Sequence, residues 1–81
     1  MITSVVFIYS TSPPHSLLRT VITDDADHAG TPVAQRPECL ANAGEAQIVM
    51  PYAEFLTLPP PIETAPALVA AIAAAIVAVA A

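Results

Sequence analysis

The sequence has 81 residues, of which 56% are hydrophobic and only 5% aromatic, with nine prolines and one cysteine. Seven acidic residues oppose two arginines, giving a net charge of −5. Nucleic-acid binding needs a basic patch, so this charge excludes that class of partner. A single cysteine excludes an internal disulfide, and a chain this short has little core to support a catalytic cleft. We therefore expect a non-enzymatic protein with no cofactor and no small-molecule substrate.

The amino-terminal part contains two short runs typical of β-strands. Residues 2–9 and 17–23 are rich in β-branched, aromatic and leucine side chains, which suit a partly buried strand. Residues 12–15 include two prolines that turn or extend the chain between the runs. The runs predict a hairpin, although two strands alone are only marginally stable. No basic residue precedes Arg19, so we do not expect a secretory signal peptide.

The middle of the chain is irregular in pattern. Residues 24–35 are polar and contain glycine and proline, which predicts a loop. Residues 37–44 begin with proline, continue with an acid and end with glycine, which fits one or two helical turns. Residues 47–50 form a short apolar run, and 52–58 fit either a strand or a helical turn. Three consecutive prolines at 59–61 predict a stiff spacer; a ligand for an aromatic groove is the weaker alternative, because basic flanking residues are absent.

Residues 65–81 contain no polar side chain and are mostly alanine, the residue with the best helix propensity. Larger side chains recur at helical spacing, which predicts one packing face. The predicted partner-packing residues are Leu68, Val69, Ile72, Ile76 and Val79. The alanines between them permit the close approach of a neighbouring helix.

The length of this helix decides between two environments. Sixteen helical residues rise roughly 24 Å, whereas a bilayer core is about 30 Å thick. Flanking aromatic and basic anchors are absent, yet a lone helix without a polar face must be covered. We expect a single-pass transmembrane helix packed against other subunits and contacting lipid, with a helix buried in a groove of an assembly as the alternative.

An acidic cluster is the main candidate for chemistry. Its members are the weak metal-ligand candidates Asp24, Asp25, Asp27 and His28. Asp25, Asp27 and Gly30 match the start of an EF-hand loop, but Ala29 and Arg36 occupy positions that need oxygen ligands. A solvated acidic loop is therefore the favoured interpretation, and we predict no established metal site.

A nucleophile–base pair formed by Cys39 with His28 or His15 is a second chemical candidate. No glycine-rich oxyanion turn flanks the cysteine, so we reject catalysis and interpret Cys39 as a small buried hydrophobe. His15, after two prolines, is interpreted as an exposed turn residue.

The sequence thus predicts a mostly irregular, extended segment over 1–58 that binds a partner, a polyproline spacer and helix cap over 59–64, and an apolar helix over 65–81. The predicted fold is this extended segment with short β-like runs and one alanine-rich helix, and a small α+β domain is the alternative. The predicted function is that of a non-catalytic accessory or structural subunit of a membrane-embedded complex of several proteins. Alternatives are a processed precursor or membrane-active peptide, and a small soluble α+β binding domain.

Overall fold

A computed structural model describes residues 2–80, with side chains described through residue 78. Three strands and two α-helices follow in chain order: β1 (Thr3–Ser10), β2 (Leu17–Asp24), β3 (Glu45–Pro51), α1 (Tyr52–Phe55) and α2 (Pro66–Ala80). Short 3₁₀ turns lie at Asp25–Asp27, Val33–Gln35, Pro37–Cys39 and Ile62–Thr64. The prediction of a mostly irregular chain is therefore wrong, and the α+β alternative fits.

The three strands form an antiparallel sheet in the order β2-β1-β3. Phe7 lies opposite Thr20 on one side and Ile48 on the other. The register with β2 shifts after Ile8, because Ile8 pairs with Arg19 whereas Tyr9 pairs with Leu17. The predicted hairpin thus gains a third strand, and this strand provides the pairing that an isolated hairpin lacks.

Strand β1 is buried on both of its faces. Val5, Phe7 and Tyr9 belong to one core cluster, while Val6 and Ile8 belong to another. Burial on both faces explains why this strand is continuously apolar rather than alternating. We call the sheet surface of Val5, Phe7 and Tyr9 the helix face, and that of Val6 and Ile8 the loop face.

Helix α2 packs on the helix face. Ala65, Leu68 and Ile72 are at most 8% exposed and join the core around Phe7. Burial of a leucine or isoleucine side chain contributes about 1.5–3 kcal/mol relative to exposure. The helical spacing of the large residues therefore reflects packing on the chain's own sheet.

The prediction of a transmembrane helix is contradicted. Helix α2 has 15 residues and rises about 22 Å, less than the roughly 30 Å of a bilayer core. Between residues 2 and 80, no helix combines the length and apolarity needed to cross a membrane. The single-pass assignment and the membrane localisation are corrected accordingly, since the sheet rather than lipid covers Leu68 and Ile72.

The loop face is covered by residues 25–44, which we call the loop segment. Cys39, which is fully buried, and the partly buried Val33 pack against Val6 and Ile8. The loop segment contains three 3₁₀ turns and little apolar area. Its attachment to the sheet therefore depends largely on polar contacts.

Candidate functional site

Arg36 attaches the loop segment to strand β2. Its side chain is only 3% exposed, and all three guanidinium nitrogens donate hydrogen bonds. Nε donates to the carbonyl of Thr31 at 3.1 Å, Nη1 to the hydroxyl of Thr23 at 2.9 Å, and Nη2 to Asp25 Oδ1 at 2.6 Å. A buried, charged guanidinium group is costly unless it has such hydrogen bonds and a counter-charge. Arg36, one of the two residues that break the EF-hand pattern, is thus the centre of a structural network.

His28 and Glu38 extend this network. The Nδ1–H group of His28 donates to the carbonyl of Asp24 at 3.1 Å, and its Nε2 lies 2.5 Å from Glu38 Oε1. Because a carbonyl only accepts, the contact with Asp24 fits the His28 tautomer that carries its proton on Nδ1. The Thr23 hydroxyl also donates to Glu38 at 3.2 Å.

Three of the four metal candidates, Asp24, Asp25 and His28, make internal hydrogen bonds, whereas Asp27 is exposed. Asp24 accepts from the backbone N–H of Ala26 and from the hydroxyl of Thr3, and Asp25 pairs with Arg36. Within residues 2–80, no group of three or more histidine, cysteine or acidic side chains is arranged to hold a metal ion. The acidic cluster therefore caps the 3₁₀ turn at Asp25–Asp27 and joins it to the sheet.

Cys39 lies beneath the loop segment and is fully buried. Burial raises the pKa of its thiol, and the neighbouring Glu38 carboxylate adds to this effect, while Arg36 opposes it. A thiol with a raised pKa is a poor nucleophile. The backbone carbonyl of Cys39 accepts a hydrogen bond from the Gln47 side chain on β3. These contacts are those of a packing residue.

Arg19 and Glu45 hold the other end of the loop segment. Arg19 Nη2 lies 2.9 Å from Glu45 Oε1 and donates to the carbonyl of Leu40 at 3.1 Å. The hydrogen bond from Arg19 lowers the pKa of Glu45, and a hydrogen bond from the backbone of Asn42 lowers it further. Both arginines of the chain are thus engaged with the loop segment, away from helix α2.

Helix α2 exposes an apolar surface on its side opposite the sheet. We call this surface the outward face; its exposed members are Ala67, Val69, Ala70, Ala73, Ala74, Val77 and Ala78. Val69 is 50% exposed and Val77 is 68% exposed. A helix that is apolar all round is normally buried on all sides. The fold covers only one side of this one.

A groove of about 460 Å³ opens between helix α2 and the turn before β2. Its apolar wall is formed by Leu17, Val69, Ile72, Ala73 and Ile76, and its polar lining includes His15, Ser16 and Glu63. A second cavity of about 190 Å³ shares His15 and Ile76 with it. The volume of the groove falls in the range typical of small-molecule sites.

His15 borders both cavities in an uncommon conformation. Its φ is 59°, and among residues 2–80 it is the non-glycine residue with a positive φ. The Nδ1–H group donates to the carbonyl of Ser10 at 3.1 Å, which leaves Nε2 as the acceptor of the neutral ring. His15 is half-buried rather than the exposed turn residue expected from the sequence.

The predicted partner-packing residues of α2 do not share one environment. Leu68 and Ile72 are buried in the core of the chain itself, Ile76 is half-buried, and Val69 is half-exposed. The side chain of Val79 lies outside the described residues. Of the four whose side chains the structure describes, only Val69 belongs to the outward face.

The sequence did not predict that His15, Leu17 and Glu63 line one groove. The signal available was weak: a histidine after two prolines, and an acid beside the first turn of an apolar helix. Comparison with protein-family models, curated proteins and solved structures finds no match. The surfaces of the fold are therefore the basis for assigning a function.

Proposed function

We propose that this chain is a small non-catalytic binding domain that packs the outward face of α2 against another protein. The observation that carries this proposal is the absence of any polar side chain among the exposed residues of α2 between Pro66 and Ala78. Contiguous exposed apolar surface of this kind marks interaction sites in folded proteins.

The small side chains favour a helical partner. Ala70 and Ala74 are one turn apart, as are Ala73 and Val77, so a second helix backbone can approach closely along this face. The two arginines are engaged elsewhere, and the outward face itself carries no charge. Burial of apolar area, rather than ion pairing, supplies the binding free energy.

Co-purification with a paired charge variant tests the proposal. The tagged chain is purified from its native source, and bound proteins are compared with those of the Ala74→Lys/Val77→Lys variant. Both positions are exposed, so the variant should keep its circular dichroism spectrum and thermal midpoint while it loses the partner.

Leu56→Lys is the matched control, because Leu56 is 64% exposed but lies after α1 rather than on α2. This variant should retain the partner. The proposal fails if the wild type and the double lysine variant recover the same proteins. It also fails if both are monodisperse monomers with equal binding of a hydrophobic dye.

A further inference from the structure

We propose that the groove between α2 and the turn before β2 binds a small amphipathic amine, with its apolar body against the helix and its ammonium group at Glu63. This ligand site is a second activity beyond the proposed protein contact. Apart from Val69 and Ala73, which border both surfaces, the residues that line the groove differ from the exposed members of the outward face that carry that contact.

The shape and apolarity of the groove fix the body of the ligand. Leu17, Ile72 and Ile76 form a continuous apolar wall in a space of about 460 Å³. Apolar contact gives about 25 cal/mol for each Å² removed from water. An unbranched alkyl chain or a small ring system suits such a wall, because neither brings polar atoms that the wall leaves unpaired.

The charges fix the head group. Glu63 lines the groove, and within the described residues it has no salt-bridge partner. The groove lining contains no arginine or lysine, and both arginines lie with the loop segment. An anionic head would therefore meet a carboxylate without any compensating cation, whereas a protonated amine would meet its complement.

His15 adds a second acceptor to the lining. Its Nδ1–H group is committed to the Ser10 carbonyl, so the neutral imidazole offers only the lone pair of Nε2. An ammonium group has hydrogens to donate and nothing with which to accept. The Glu63 carboxylate and His15 Nε2 are thus acceptors that match the donors of an ammonium group. A ligand with a carboxylate head brings no donor for either of them.

Three eight-carbon probes with different heads test this site: octylamine, 1-octanol and octanoate. Binding is followed by titration calorimetry and by amide chemical shifts at neutral pH. Octylamine should saturate one site and bind most tightly, and octanoate should bind roughly tenfold more weakly, since one head attracts Glu63 and the other repels it. Added salt should weaken octylamine but not octanol.

Two substitutions separate the head from the body. Glu63→Gln should weaken octylamine about two- to fivefold, the size of an exposed ion pair, and leave octanol unchanged. Ala73→Leu should fill the groove and weaken all three probes. Ala73 and Glu63 are both exposed, so neither change threatens the fold. Glu54→Gln on α1, outside the groove, is the control and should have no effect.

The proposal is overturned if octanoate binds as tightly as octylamine, or if Ala73→Leu leaves octylamine binding unchanged. Equal losses of octylamine affinity in the Glu63→Gln and Glu54→Gln variants would also overturn it, because they would show that binding responds to the net charge of the protein. A lack of saturable octylamine binding would likewise overturn it. Loss of partner binding in the α2 lysine variant is a separate measurement.

Discussion

The Nη2 atom of Arg36 lies 2.6 Å from Asp25 Oδ1, and the two side chains differ sharply in exposure, at 3% and 42%. The buried partner depends on this contact more than the exposed one does. Water can replace the arginine at the exposed Asp25, whereas the hydrogen bond from Arg36 to the Thr23 hydroxyl is buried.

The first prediction follows from this asymmetry. Arg36→Met should destabilise the fold by about 2–4 kcal/mol, because it leaves buried acceptors without a donor. Asp25→Asn should cost less, about 1–2 kcal/mol, because the amide oxygen can still accept from Arg36 although the buried guanidinium loses its counter-charge. Urea unfolding followed by circular dichroism measures both. A larger loss for Asp25→Asn than for Arg36→Met would contradict the asymmetry.

The second prediction concerns the attachment of α2 to the sheet. Leu68 is fully buried, whereas Val77 is 68% exposed. Leu68→Ala should therefore cost about 2–5 kcal/mol through lost burial and a cavity. Val77→Ala should change stability by less than about 0.5 kcal/mol. Equal small effects of the two substitutions would show that α2 does not dock on the sheet.

The third prediction concerns Cys39, whose buried thiol has a raised pKa. Alkylation of the folded protein should be slow and should become fast in denaturant. The folded protein holds the thiol proton more tightly than the unfolded chain does, because the folded pKa of Cys39 exceeds the unfolded one. The resulting stabilisation is complete below the unfolded pKa, roughly 8.5, and is lost as pH rises through the folded pKa. Cys39→Ala should remove that part of the alkaline decline, measured relative to neutral pH.

The fourth prediction concerns Glu45, whose pKa is lowered by the hydrogen bond from Arg19. A lowered folded pKa stabilises the protein above the unfolded pKa, roughly 4.3, and this stabilisation is lost as pH falls through the folded pKa. Glu45→Gln should therefore flatten the acid limb of the thermal midpoint against pH. Glu54→Gln is the control, and an equal flattening there would refute the role of Arg19.

Local patterns anticipated several elements of the fold. The β-branched run at 2–9 forms β1, the run at 17–23 forms β2, and the apolar helix begins at Pro66. These elements follow from propensity and periodicity over a few neighbouring residues. The undecided stretch after Met50 contains a single helical turn, Tyr52–Phe55.

Long-range contacts account for what the sequence did not predict. Nothing local in residues 47–50 specifies pairing with β1, yet Ile48 lies opposite Phe7. Arg36 matched no local pattern, because its partners come from β2, from the start of the loop segment and from Thr31. The large apolar residues of α2 indicated one buried face, but periodicity cannot distinguish a sheet from lipid as the surface that covers it.

The central position of β1 also constrains how the chain is made. This strand is the most apolar of the three, and it precedes in synthesis β2, β3, the loop segment and α2, all of which cover or pair with it. A nascent chain therefore exposes residues 5–9 until Pro51 has emerged, and keeps the helix face bare until α2 follows. During translation the nascent chain therefore exposes an apolar, unpaired β-strand. This incomplete chain is more prone to aggregation than the folded protein and is the state that a chaperone would protect.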